Sequence, residues 1–201
     1  MAGNIKEDRK LFLGLELKKW QNLILPTIIL FYSLQLGFSW SSGHILEGYG
    51  VDFLAFWSAG KVASQEGYAA VYDLEKLKAV QLEELDKAGL SRQIDSRTFK
   101  PLPAALFPTF LIPFVLLSKI EMNGSYWIWT VLNLIILLAY LIYFSREVFP
   151  AGSQPGKSRF ILIMLLSYPI MATILEGQVE IFLILFAGEF IRNTLKNRPY
   201  L

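Results

Sequence analysis

Residues 49–60, with the sequence YGVDFLAFWSAG, place a single carboxylate between two apolar parts of the chain. Asp52 follows an apolar block of membrane length and precedes an apolar, aromatic run with the composition of a helix. An aspartate at such a position commonly caps a helix, because its side chain accepts hydrogen bonds from free N–H groups of the first turn. A carboxylate held rigidly at a membrane surface could also meet a substrate. Both interpretations stay open from these residues alone.

The composition indicates an integral membrane protein. Apolar residues make up 54% of the 201 residues, which exceeds the roughly 45–50% of ordinary globular domains. They cluster in blocks long enough to cross a bilayer core of about 30 Å. The formal net charge of +2 gives no general attraction to nucleic acid. Since the chain has no cysteine and only one histidine, His44, thiolate and multi-histidine metal sites are excluded, and neither a metal nor a cofactor is expected.

The N-terminal part predicts a cytoplasmic tail and a first membrane span. Residues 1–19 are polar and basic, which is typical of the cytoplasmic flank of a span. Trp20 and Trp40 bracket an apolar block, and tryptophan is enriched at both membrane interfaces. We therefore expect residues 20–40 to form the first transmembrane helix, with the N-terminus inside the cell.

Residues 41–100 form the long polar segment and are predicted to be an extracytoplasmic loop with interfacial helices. The first of these helices runs from Phe53 to about residue 63, and Gly67 interrupts the pattern that follows. Asp73 has the features of an N-cap and Gly89 those of a C-cap, so a second helix is expected between them.

The C-terminal half predicts further membrane segments. Residues 101–118 contain four prolines, and each interior proline removes a helical hydrogen bond and bends the chain. We expect a re-entrant or interfacial segment there, with a kinked transmembrane helix as the alternative. Three more apolar segments are predicted to be transmembrane helices, at residues 124–145, 160–175 and 179–191. Their aromatic residues, such as Trp129, are interpreted as packing and interface residues.

The distribution of basic residues favours the re-entrant topology. If residues 101–118 return to the outer side, the basic clusters at 6–19, 146–159 and 192–198 all face the cytoplasm. The polar break at residues 176–180 then lies on the same outer face as Asp52. The prediction is an all-α polytopic protein with four spans and one re-entrant segment. If residues 101–118 instead formed a fifth full span, the second and third basic clusters would face the outside of the cell.

Polar residues at membrane depth are the candidates for function, because they are costly there. Asp52 could act as a general base on a hydroxyl group, and Lys100 and Arg97 could hold a phosphate. Gln178 and Glu180, in the polar break, could contact a substrate. Interfacial anchoring explains the two basic residues equally well, and a solvated turn explains the other two.

Several short motifs, taken in order, resemble glycosyltransferase family 87, the polyprenyl-phosphate-mannose-type mannosyltransferases formerly named as a domain of unknown function. The resemblance extends over residues 20–198. Two departures are visible: Leu102 splits the proline pair, and Glu180 stands where the family usually has asparagine. The matching motifs are VDF at 51–53, FWSAG at 56–60, VYD at 71–73, FKPLPA at 99–104, YP at 168–169 and GQVE at 177–180.

The resemblance implies an enzyme with the C-type glycosyltransferase (GT-C) membrane fold, in a multi-pass protein of the plasma membrane whose active face is extracytoplasmic. Asp52 would be the catalytic base of an inverting hexosyltransferase, without a metal. The donor would be a polyprenyl-phosphate sugar, carrying mannose, and the acceptor a glycolipid or polysaccharide hydroxyl. The implied substrate-binding residues are Tyr72, Arg97, Lys100, Gln178 and Glu180. Family members are about twice as long, so the chain is expected to correspond to their N-terminal half.

Two non-enzymatic functions compete with this one. A small non-catalytic membrane protein, such as an assembly subunit or a lipid-binding accessory subunit, would use Asp52 only as a helix cap. A transporter is a weaker alternative, because no charged residue lies in the middle of a predicted span.

Overall fold

The computed structural model describes residues 26–35, 37, 38, 41, 46, 49–90, 95–103, 108–150 and 152–195. These residues form helices, turns and irregular segments, and none of them is in a β-strand, which confirms the all-α prediction. The predicted cytoplasmic tail, residues 1–19, lies outside the described residues.

The chain divides into two compact units, residues 1–41 and residues 42–201. In the first unit, residues 26–35 are helical and are called α1. This helix lies within the predicted first span, residues 20–40, of which residues 20–25, 36, 39 and 40 are outside the described part.

The second unit is built from seven α-helices and two short 3-10 helices in the part of the chain that is described. The 3-10 helices are Tyr68–Tyr72 and Pro108–Leu111. The α-helices are α2 (Val51–Glu66), α3 (Leu74–Lys87), α4 (Ile112–Leu117), α5 (Met122–Val148), α6 (Gln154–Leu166), α7 (Tyr168–Glu176) and α8 (Ile181–Leu195).

Helix α2 lies in the core of this unit. Phe53 and Trp57 are buried on it, and they pack in one hydrophobic cluster with Phe114 of α4 and Trp129 of α5. The rings of Phe114 and Trp129 are 4.7 Å apart, centroid to centroid. The apolar run of α2 is therefore covered largely by protein, and its placement at a membrane interface stays a prediction.

The ends of α2 and α3 follow the predicted signals. Gly67, at φ +89°, ends α2. The side chain of Asp73 caps α3 by accepting a hydrogen bond of 3.1 Å from the N–H of Glu75, so the N-cap prediction is confirmed. Gly89, at φ +74°, follows the last turn of α3, in the left-handed conformation that glycine adopts without steric cost.

Gly60 lets α2 approach α4 closely. A Cβ atom at this position would lie 2.4 Å from both the backbone carbon and the carbonyl oxygen of Phe114. Because the obstacle is backbone, it cannot be relieved by a change of rotamer. We expect Gly60→Ala to lower the free energy of unfolding in detergent by about 1–3 kcal/mol, the usual cost of overpacking.

The stability of Gly60→Ala would be measured by denaturant titration, with unfolding followed by tryptophan fluorescence. Gly124→Ala is the matched control. A Cβ at Gly124 would meet only a side-chain methyl of Ile120, at 3.5 Å. Alanine is also the better helix former by about 1 kcal/mol. Equal unfolding midpoints for the two variants would contradict the close approach of α2 and α4.

Only one helix in the described ranges is by itself long and apolar enough to cross a bilayer. This is α5, with 27 residues and a mean hydropathy of 2.1 over its most apolar window. Helices α6 and α7 pass the same criterion together, but they are bent by 49°. The predicted span at residues 160–175 is thus a broken helix, and the count of four spans stays a prediction.

The bend between α6 and α7 has a local cause. Pro169, at the start of α7, has no N–H to bond the carbonyl four residues earlier, and its ring crowds that carbonyl. Ser167 accordingly takes an extended conformation, at φ −66° and ψ 137°. The other proline-rich segment is helical only over Pro108–Leu117 in its described part, about 15 Å at 1.5 Å per residue, which is half a bilayer core.

Candidate functional site

Asp52 is not the N-cap of α2. The helix begins one residue earlier, with Gly50 as its N-cap at φ +82° and no side-chain capping bond. The carbonyl of Gly50 accepts the N–H of Leu54 at 2.9 Å. The capping interpretation of Asp52 is therefore wrong, because a left-handed glycine starts the helix before the carboxylate. Asp52 lies in the first turn, where the helix dipole stabilises a negative charge.

The Asp52 carboxylate is bound by a residue from the far end of the chain. Gln178 Nε2 donates a hydrogen bond to Asp52 Oδ2, across 126 residues of sequence. Both residues are only partly buried, so the pair is reachable from solvent. The structure thus brings Asp52 and the break at residues 176–180 together, as the topology argument predicted for their common face.

Glu176 adds a second carboxyl group to this site. It is the last residue of α7, and the backbone N–H of Val51 donates to its side chain. Burial, and then the negative charge of the Asp52 carboxylate, raise the pKa of Glu176 above its usual value. Burial, then the charge of Glu176 and the neighbouring Tyr168, raise the pKa of Tyr49 above its usual value. Tyr49 was not predicted as a site residue, and Glu176 was predicted only as a member of the polar break on the same face as Asp52.

The break itself is held by helix α5. The hydroxyl group of Tyr126 donates to the carbonyl of Leu175 at 2.7 Å, and Trp129 Nε1 donates to the carbonyl of Gly177 at 3.1 Å. Both aromatic side chains are at most 1% exposed. The packing part of their sequence interpretation is confirmed, and their polar atoms bind the end of α7 and the break; their location at a membrane interface stays a prediction.

Position 177 requires a glycine, both for its backbone conformation and for the space around it. It ends α7 in the left-handed conformation, at φ +69° and ψ 31°. A Cβ on this residue would lie 2.7 Å from Cβ of Phe53. The break and the first turn of α2 are therefore in direct contact next to the Asp52–Gln178 pair.

An apolar groove of roughly 510 Å³ lies next to the break, between the bent pair α6–α7 and α8. Ile170, Leu183 and Ile184 contribute much of its apolar lining, and among the described lining residues Glu180 alone is charged. The Oε2 atom of Glu180 is buried and has no hydrogen-bond partner among the described residues.

Three other predicted site residues make no direct bond to this cluster in the described ranges. Arg97 and Lys100 are exposed on the segment 95–103, and Tyr72 is 66% exposed at the end of a 3-10 helix. No hydrogen bond or ion pair found in the described ranges joins any of the three to Asp52 or Gln178. Gln81 anchors the segment 95–103 to α3 through two hydrogen bonds of 2.8 Å with Leu102: its Nε2 donates to the carbonyl, and its Oε1 accepts from the N–H.

The chemistry available at this site is proton transfer by a carboxylate. Asp52 has one oxygen engaged by Gln178, so its other oxygen can accept a proton from a hydroxyl group. Within the described ranges, no group of three or more histidine, aspartate or glutamate side chains is placed to hold a metal ion.

These features define a class: an all-helical protein with an apolar helix of bilayer length and a carboxylate facing a polar helix break. Comparison points to a particular family, since residues 108–201 match the model of Glycosyltransferase family 87. The match covers the C-terminal part of the chain, less than half of it, and supports the family assignment that the motifs indicated; this family implies a glycosyltransferase. The matched residues include the break and α5 but not Asp52. Searches among curated proteins and among solved structures gave no match.

Proposed function

We propose that the protein transfers a hexose, such as mannose, from a polyprenyl-phosphate sugar to an acceptor hydroxyl on the extracytoplasmic face of the plasma membrane. The observation that carries the proposal is the hydrogen bond between Asp52 and Gln178. It joins the one carboxylate of the VDF motif to the GQVE motif, and the latter lies within the part of the chain that matches the family.

In the proposed reaction, Asp52 is the general base. Its oxygen not bound by Gln178 accepts the proton of the acceptor hydroxyl, and the resulting oxygen attacks the anomeric carbon of the donor. The bond between that carbon and the phosphate oxygen breaks, and polyprenyl phosphate leaves with the bonding electron pair. Because phosphate is already a good leaving group, the step needs no metal. A single displacement inverts the anomeric configuration.

The substrate contacts follow from charge, from the groove and from the family resemblance. Arg97 and Lys100 carry the positive charge that would hold the donor phosphate, and Tyr72 belongs to the same loop. The apolar groove beside Glu180 has a volume of roughly 510 Å³, within the usual range of about 300–1,000 Å³ for ligand sites, and it suits a prenyl chain. We propose a glycolipid or polysaccharide as the acceptor and GT-C as the fold.

The topology of the site is testable with single cysteines, because the chain has none of its own. Ser96→Cys and Ser153→Cys are expected to differ in intact cells treated with an impermeant thiol reagent. The cysteine at 96 should be labelled and that at 153 protected, since the basic cluster around 153 is predicted to be cytoplasmic. Both should react after permeabilisation. Labelling of the cysteine at 153 in intact cells would contradict the four-span topology.

The donor class is tested in membranes from cells that lack or express the gene. A radiolabelled hexose should reach membrane acceptors from a polyprenyl-phosphate hexose only when the chain is present. A nucleotide hexose, added with polyprenyl-phosphate synthesis blocked, should give no product that depends on the chain. Transfer directly from the nucleotide sugar would overturn the proposed donor.

The groove also favours a second candidate, a lipid-binding accessory subunit without catalysis. This function would need the apolar surfaces of Ile170 and Leu183 but not the charge of Asp52. Neutral substitution of Asp52 therefore separates the two candidates, as the accessory function predicts no change in the sugar transfer that depends on the chain.

A further inference from the structure

Helix α5 supplies two hydrogen-bond donors to the end of α7. The last carbonyls of any helix lack partners within the helix, and a buried carbonyl without a partner is destabilising. Tyr126 and Trp129 provide these partners, at 2.7 Å to Leu175 and 3.1 Å to Gly177. The donors are one turn apart on α5, so they fix the end of α7 and the start of the break against one rigid helix.

The two residues that alternate with these carbonyls face the first turn of α2. The side chain of Glu176 accepts the N–H of Val51, and the side chain of Gln178 donates to Asp52. Four successive residues, 175–178, are thus held, the carbonyls of 175 and 177 by α5 and the side chains of 176 and 178 by α2. Any shift of the break relative to α5 would move Gln178 relative to Asp52.

The α5 donors are themselves held by contacts to α2 and α4. The ring of Tyr126 packs edge-on against Phe53, the neighbour of Asp52 in sequence, with centroids 5.6 Å apart. The ring of Trp129 lies 4.7 Å from that of Phe114. Such packing leaves the two donors little rotational freedom, so their bonds to the break are preorganised.

We infer that Tyr126 and Trp129 are positioning residues for the reaction, and that they act by holding the break so that Gln178 orients the Asp52 carboxylate. The inference rests on the proposed function for its effect on rate, and on the hydrogen bonds for its effect on structure. Neither residue contacts the reacting atoms in this scheme, and neither supplies a proton to them.

The first test removes one hydroxyl group. Tyr126→Phe should lower kcat roughly ten- to a hundred-fold, because small displacements of catalytic groups cost that much, while KM for the polyprenyl-phosphate hexose changes less than about two-fold. Trp129→Phe should act in the same direction. Tyr143→Phe is the control: it removes a hydroxyl from the same helix, far from the break, where the ring packs under Arg192, and it should leave kcat unchanged.

A double-mutant cycle separates positioning from general damage. If Tyr126 acts through Gln178, its substitution should have little further effect once Gln178 is replaced by asparagine, whose shorter side chain reaches Asp52 poorly. The double variant should then match Gln178→Asn in kcat within about two-fold. Losses that multiply in the double variant would overturn the inference.

Hydrogen exchange gives a readout that does not depend on activity. The N–H of Gln178 is bonded to the carbonyl of Thr173 at 2.9 Å, and Tyr126→Phe should speed exchange in peptides that cover residues 173–180, with other peptides unchanged. Unchanged exchange in those peptides would overturn the inference. If the wild-type protein transfers no sugar while Tyr126→Phe still loosens the break, the proposed function fails and the positioning contacts stand.

Discussion

Replacing Asp52 by asparagine is expected to lower sugar transfer by about a hundred- to ten-thousand-fold, the usual contribution of a general base, or roughly 3–5 kcal/mol of activation free energy. Asparagine keeps the size of the side chain and can still bond Gln178, but it cannot accept a proton from the acceptor hydroxyl. The measurement is the initial rate of hexose transfer, divided by the amount of folded protein in the membrane.

Stability should change little in the same variant. Asp52 makes no capping bond in α2, so the losses are its interaction with the helix dipole, about 0.3–1 kcal/mol, and the charge assistance of its hydrogen bond from Gln178. Removal of its charge also relieves its repulsion with Glu176.

Asp73→Asn is the matched control, because Asp73 is a true N-cap and asparagine caps about as well as aspartate. It should leave the transfer rate near that of the wild type. Near-normal turnover in Asp52→Asn would remove Asp52 as the base, and an equal loss in Asp73→Asn would make the effect non-specific.

Replacing Gly177 by alanine is expected to destabilise the protein more than any other small substitution at the site. A left-handed conformation costs a residue with a Cβ about 1–2 kcal/mol. The added methyl group would also lie 2.7 Å from Cβ of Phe53, and overpacking of this kind costs about 1–3 kcal/mol. We therefore expect a loss of roughly 2–5 kcal/mol in the free energy of unfolding, measured by denaturant titration in detergent.

Gly89→Ala isolates the backbone part of that effect. Gly89 has a similar φ of +74°, and no atom of the described residues lies within 4 Å of a Cβ atom added to it. This control should lose only the conformational part, about 1–2 kcal/mol. If both variants lost the same stability, the contact between the break and Phe53 would be contradicted.

Local sequence signals predicted the helices of the loop well. Asp73 and Gly67 mark helix ends by mechanisms that depend on neighbouring backbone alone, and both act as expected. The same logic failed for Asp52, because Gly50 adopts a left-handed conformation and begins the helix earlier. The bend at Ser167 was also missed, although Pro169 gave a local signal for it.

Contacts between distant segments were harder to predict. An aromatic residue near the end of an apolar helix has the same sequence signature whether it faces the membrane interface or binds another helix. Tyr126 and Trp129 were therefore interpreted without their hydrogen bonds to α7. The joining of Asp52 to the break could be predicted only as a common face, from basic residues, and its partner Gln178 is revealed by the tertiary structure.

The stereochemistry of transfer tests the central claim, a single carboxylate base at Asp52, most directly. Membranes containing the protein would be given a polyprenyl-phosphate hexose of defined anomeric configuration, and the configuration of the new glycosidic bond would be determined by NMR. One displacement by a hydroxyl that Asp52 deprotonates predicts complete inversion. Retention would require a covalent glycosyl-enzyme intermediate or a second displacement, and would contradict the assignment of Asp52 as the base.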